Sequence, residues 1–159
     1  MAGGMTTANI SAANTAVGNY FTISDILMIQ PMDTSVTNSG IAATQEMKNY
    51  GMAIAAISQE ASTLGMPHSS GMVTAMMDDA SDGVMNGMMG STPISMTGTG
   101  GMMGGGMMGN NMQPTAGTSG LAGAMSTFIG TASVNKSGVN TTAMNALITK
   151  LSNSNGTIQ

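Results

Sequence analysis

The sequence predicts an all-α chain: about five short helices around an antiparallel helical hairpin, with a long Met/Gly-rich loop. Three observations lead there. In residues 45–64, Met47, Tyr50, Ile54, Ile57, Ala61 and Leu64 recur at alternating steps of three and four, the spacing that lines apolar side chains along one helical face. Segments of the same period flank this stretch on both sides. Between residues 83 and 117 the period disappears, and Gly and Met replace it, a composition that raises the entropic cost of any fixed backbone.

The helices follow in chain order. The first is expected from Thr6 or Thr7 to Phe21, with Ile10, Ala13, Val17, Tyr20 and Phe21 inward. Pro31 breaks the short apolar run 23–32, and the polar stretch 33–40 reads as a loop. The central helix carries Glu46, Lys48, Ser58, Gln59, Glu60 and Ser62 on its polar side and stops at Gly65 and Pro67. Ser69 or Ser70 caps a third helix through Met72, Val73, Met76, Met77 and Ala80, with Met76 and Met77 assigned to the core. The short link before it favours antiparallel pairing with the central helix. Thr118 or Ser119 starts a fourth helix with Leu121, Ala124, Met125, Phe128 and Ile129, closed by Gly130. Asn140 or Thr141 starts the last, with Met144, Leu147, Ile148 and Leu151 inward and Lys150 near the negative helix end.

A chain of 159 residues supports one domain with one core. Residues 1–159 are therefore taken as a single helical domain and 83–117 as its insertion, a loop or partly disordered. Apolar residues make up 42% but aromatics only 3%, with 21 Met, so the core is built from small and flexible side chains. Charged residues are 6%, with a net charge of −4. Three scattered lysines, Lys48, Lys136 and Lys150, cannot form the cation cluster that nucleic acid or an anionic membrane surface requires. No apolar run is long enough to span a bilayer. The absence of Cys removes disulfide, zinc-thiolate, iron-sulfur and thiol chemistry.

Metal chemistry has two candidate sets. Met85, Met88, Met89, Met96, Met102, Met103, Met107, Met108 and Met112 are separated largely by Gly, Asn, Ser and Thr. Thioether sulfur is a soft neutral ligand suited to Cu(I) or Ag(I). The same residues also suit an adaptable cover or contact surface, and a long uncharged stretch has no residues that oppose self-association. Asp78, Asp79 and Asp82 gather three carboxylates at a helix end, where the dipole disfavours them. Their spacing does not make an EF-hand, and a weak Ca²⁺ or Mg²⁺ site of another shape is the functional alternative to a solvated terminus. The lone His68 supports no catalytic triad, and Glu46 and Glu60 lie too far apart on one helix for joint acid-base work. No catalytic residue and no obligatory cofactor is expected, and Cu(I) is a metal the methionine composition would suit.

Residues 49–90, NYGMAIAAISQEASTLGMPHSSGMVTAMMDDASDGVMNGMMG, with TSGLAGAMSTFIG at 118–130, resemble a helical segment of large secreted or lipid-anchored surface proteins of metal-respiring anaerobic bacteria. There the segment accompanies repeated β-sandwich domains and has no defined activity. The resemblance implies an extracellular or cell-surface location. The chain has neither a lipobox Cys nor an attached β-domain, as expected of an excised fragment of such a lipoprotein. The function expected is a non-enzymatic structural or interaction module with protein partners or self-association. The alternatives are a Cu(I)/Ag(I) binder using the Met-rich loop and a subunit of an extracellular filament.

Overall fold

A computed structural model describes residues 6–66, 68–96 and 111–158. Among them are five helices, α1 (Thr7–Phe21), α2 (Gln45–Thr63), α3 (Ser70–Ala80), α4 (Ser119–Gly130) and α5 (Thr141–Ser152). One antiparallel pair, β1 (Met88–Met89) and β2 (Thr92–Pro93), registers Met88 with Pro93 and Met89 with Thr92. The fold is mostly helical, and no helix among the described residues is long and apolar enough to cross a membrane.

Hydroxyl and amide caps fix where three of the helices start. Thr6 Oγ1 accepts the Asn9 N–H at 3.2 Å, Thr44 Oγ1 that of Met47 at 3.3 Å, and Asn140 Oδ1 that of Ala143 at 3.0 Å. Each satisfies a first-turn donor that the helix itself leaves open. The end of α1 is unusual, because Thr22 turns left-handed with φ 57, a strained conformation for a β-branched residue. It is held from three sides: the Asn49 amide donates to the Thr22 carbonyl at 2.9 Å, Ile23 N–H bonds back to the Gly18 carbonyl at 2.8 Å, and Lys150 Nζ donates to the Asn19 carbonyl and, at 3.2 Å, to Thr22 Oγ1. Lys150 therefore neutralises the negative end of α1.

The core lies chiefly between α2, α4 and α5. Helix α2 packs most extensively against α4, and α4 against α5, while α3 touches α2 more lightly. Met52, Met72, Leu121, Met125, Met144 and Leu151 are fully buried at its centre, and each such side chain is worth roughly 1.5–3 kcal/mol of apolar burial.

The buried face of α2 differs from the periodic one. Ala61 of the expected set is buried, but Ile54 and Leu64 are exposed, and Asn49, Gly51, Met52, Ala53, Ala55 and Ala56 are buried instead. Small side chains let the helix axes approach more closely than Ile or Leu would, and the larger residues rotate to the flanks. On α3, Met72 and Met76 are buried with Ala75, whereas Val73 and Met77 are exposed, so the core assignment of Met77 is corrected. Only Gly18 and Tyr20 of α1 are buried, and Ile10 is half-exposed. Helices α4 and α5 bury Leu121, Met125, Phe128, Ile129, Met144, Leu147 and Leu151 as expected, with Ala122 added.

The described parts of the Met/Gly segment are not a free loop. Val84 bridges to Thr157 and Ser95 to Asn111, and Met85, Ile94, Met96, Met112 and Ala116 belong to the core. Loop or disorder expected over 97–110 lies outside the described residues.

Gly51 meets the connector that runs from α1 to α2. A Cβ there would stand 2.2 Å from the Met32 carbonyl oxygen, and backbone cannot yield as a side-chain tip can. Gly51→Ala, which would favour an isolated helix by about 1 kcal/mol, is expected to destabilise this protein by a net of roughly 1–2 kcal/mol through overpacking, as urea unfolding will show.

Candidate functional site

The acidic cluster serves as a backbone anchor. Asp79 lies on the buried side of α3 and is inaccessible to solvent. Its Oδ1 accepts the N–H groups of Asn86, Gly87 and Met88 at 2.9, 2.7 and 3.2 Å. Asp82 takes the N–H of Val84 at 3.1 Å on Oδ1 and that of Gly90 at 2.8 Å on Oδ2. Two carboxylates thus define the turn leading into β1, and charge on the acceptor strengthens each bond. Burial pushes the Asp79 carboxyl above its ordinary range, while the bonds from Asn86, Gly87 and Met88 pull it down. The amides of Gly90 and Val84 hold Asp82 below that range. Asp78 is exposed, and its contribution is a main-chain one: its carbonyl accepts the Ser81 hydroxyl at 2.6 Å. The three acids are not assembled as a cation site, since no group of three or more His, Asp or Glu among the described residues is placed to hold a metal ion.

The candidate methionine ligands divide three ways. Met85, Met96 and Met112 are buried in the hydrophobic core. Met85 packs so closely on Gly117 that a Cβ there would stand 2.6 Å from its Cε. Met88 is half-buried and Met89 exposed beside it on β1. Met102, Met103, Met107 and Met108 lie outside the described residues.

Glu60 is a feature that the amphipathic pattern conceals. It follows Asn49, Ala53 and Ala56 at helical spacing and faces the start of α4, where Oε1 comes within 3.2 Å of where a Cβ on Gly120 would be. Its Oε2 is buried without a hydrogen-bond partner. Desolvation raises its pKa to about 7, because a charge in this position loses water and gains no neighbour. The signal for it was the stripe of small residues itself, since Glu60 continues that stripe and not the one defined by Ile and Leu.

The most exposed large apolar side chains among the described residues lie on the connector between α1 and α2. Leu27, Met28 and Ile41 are 73%, 80% and 81% exposed, yet the backbone that carries them is firmly tied. Asp25 Oδ1 accepts the N–H groups of Leu27 and Met28 at 2.9 and 3.2 Å. Glu46 receives the Ser24 N–H at 3.2 Å and its hydroxyl at 2.9 Å. Met32 N–H bonds to the Met47 carbonyl at 3.0 Å. Farther along, Asn38 and Gly40 donate to the carbonyls of Lys136 and Ser137, and Lys136 donates back to Thr34, each at 2.9 Å. These bonds fix the connector to the start of α2 and to the α4–α5 link. It is therefore an ordered segment that presents Leu27, Met28 and Ile41 to solvent. Set against known proteins, the chain matches no family model, no curated protein and no solved structure. His68 is exposed.

Two outcomes follow for the carboxyl groups. Glu60 has a folded pKa of about 7 against an ordinary value of 4.5, so between these values the folded chain keeps a proton that the unfolded chain releases. Stability must fall as pH rises through this window and level off above it. Glu60→Gln is expected to flatten that slope and to raise Tm at about pH 8 by roughly 3–6 °C, taking 2–4 °C per kcal/mol for a chain of this size; scanning calorimetry across pH checks it. Asp79→Ala strands the main-chain donors of Asn86 and Gly87, since Met88 N–H keeps Asn86 Oδ1 at 3.0 Å, and is expected to cost about 3 kcal/mol, with faster amide exchange at Asn86 and Gly87.

Proposed function

We propose that this chain is a non-enzymatic structural or interaction module that makes its contacts through the α1–α2 connector. The observation that carries this is the exposure of Leu27, Met28 and Ile41, at 73%, 80% and 81%, on a backbone held by side-chain and cross-loop hydrogen bonds. A slack loop would turn such residues inward. Ordering them outward keeps apolar surface in water, at about 25 cal/mol per Å², and a covering partner would recover that free energy.

The burial of Met85, Met96 and Met112 supports packing as the role of these methionines. A position outside the cell or at its surface belongs to the same proposal, supported by the low charge of 6% and the resemblance described above.

Photoreactive side chains at Met28 or Ile41, in cells that make the protein, are expected to give protein-sized adducts. The same probe at Asn145, exposed on α5, is expected to give few. Equal yields at all three positions would remove the connector as the contact surface.

A further inference from the structure

The sequence contains two Asn-Gly pairs, Asn86–Gly87 and Asn155–Gly156. Asparagine is chemically labile at such a step, because the main-chain nitrogen of the next residue can attack the side-chain carbonyl carbon and glycine has no Cβ to obstruct the approach. A bond forms from that nitrogen to Cγ, the bond from Cγ to the side-chain nitrogen breaks, and ammonia departs with the proton the attacking nitrogen gave up. The five-membered imide left behind takes up one water and opens to aspartate or to isoaspartate, in which the main chain runs through the former side chain.

The two pairs share one local turn. Asn86 Oδ1 accepts the Met88 N–H and Asn155 Oδ1 that of Thr157, both at 3.0 Å. Both glycines are buried and left-handed, with φ 78 at Gly87 and φ 86 at Gly156. What differs is the hold on the nitrogen that must react. The Gly87 N–H donates at 2.7 Å to the carboxylate of Asp79, which is closed to solvent and also takes the Asn86 N–H at 2.9 Å. That nitrogen attacks only after losing its proton, and a carboxylate in contact with it opposes the negative charge that results. The same bonds resist the rotation that would bring Cγ over the nitrogen. Asn155, by contrast, is exposed beyond the end of α5, and the Gly156 N–H donates at 3.0 Å to the neutral hydroxyl of Ser154.

The segment after Asn155 is tied to the turn that follows α3. Met85 N–H donates to the Gly156 carbonyl and Ile158 N–H to the Gly83 carbonyl, each at 2.8 Å. Gly156 lies so close to that turn that a Cβ on it would stand 2.3 Å from the Met85 carbonyl oxygen. Isoaspartate lengthens the main chain by one carbon immediately ahead of Gly156, and a contact this tight has no room for the displacement.

We propose that Asn155–Gly156 is a site of spontaneous deamidation whose isoaspartyl product frees residues 156–158 from the 83–85 turn, and that Asp79 shields Asn86–Gly87 from the same reaction. Water is the only co-reactant. The modification adds one negative charge to a chain that has few and removes a tie between its last residues and the α3 end.

The intact chain is held at about pH 8.5 and about 37 °C, in buffer and in about 8 M urea, and conversion at each asparagine is followed by mass spectrometry with electron-transfer fragmentation, which also separates aspartate from isoaspartate. The ratio of the unfolded to the folded rate measures what the fold does at each site. A ratio of about tenfold or more is expected at Asn86 and of about threefold or less at Asn155, since a shielded site reacts only from a locally opened state. Equal ratios at the two sites, whether high or low, or a larger ratio at Asn155, overturn the proposal. Asp79→Asn keeps an acceptor for the Gly87 N–H without the charge, and with its helices confirmed by circular dichroism it is expected to speed conversion at Asn86 several-fold; an unchanged rate removes Asp79 as the shield. In the isoaspartyl fraction, the amides of Met85 and Ile158 are expected to exchange faster with solvent, and unchanged exchange there overturns release of the segment.

Discussion

The close approach of α2 to α4 is the constraint on which the other packing depends. Ala53 and Ala56, on the stripe that leads to Glu60, present almost no side-chain bulk, and the core beside them is filled by Met52, Leu121 and Met125, all without accessible surface. Thioethers with three rotatable bonds fill what branched residues would leave uneven. The same closeness brings Glu60 against Gly120 and makes its ionisation unfavourable. It also expels Ile54 to the surface, where it lines the broad hollow next to the connector with Met32 and Pro31.

Helix existence was legible in the sequence because caps and breakers are local. Thr6 and Asn140 cap where the first and last helices were expected to start, and Gly65, with φ 70, takes the chain out of α2, whereas Ser69 and Thr118 stand at the starts of α3 and α4 without a side-chain cap bond. Helix faces were less legible. For α4 and α5 the large apolar residues do turn inward, but α2 buries its small ones, and a pattern weighted by side-chain hydrophobicity cannot report how closely a partner helix approaches. The Asp79 turn was hidden for another reason: its three donors are main-chain groups up to nine residues away, and no residue type announces them. The exposure of Leu27, Met28 and Ile41 depends on bonds to Glu46 and to the 136–137 link, so it became visible only with tertiary structure.

The few charged groups of this chain serve mainly as ties. Asp25, Asp33, Glu46, Asp79 and Asp82 each accept at least one main-chain N–H, and Lys136 and Lys150 donate to main-chain carbonyls. Ions used in this way fix irregular backbone where helices offer no ladder. They also leave much of the exterior of the described residues uncharged.

The unequal burial of methionine gives the molecule an uneven response to oxidants. Met52, Met72, Met125 and Met144 are wholly enclosed, whereas Met28, Met77 and Met89 are 80%, 68% and 53% exposed. Oxidants reach the outer thioethers first, and sulfoxide converts a flexible apolar side chain into a polar one that a reductase can restore. The core is spared while the exposed side chains of Met28 and Met77 lose their apolar character. Surface chemistry at these two sulfurs thus alters the exterior and leaves the enclosed thioethers, and the packing they provide, as they are.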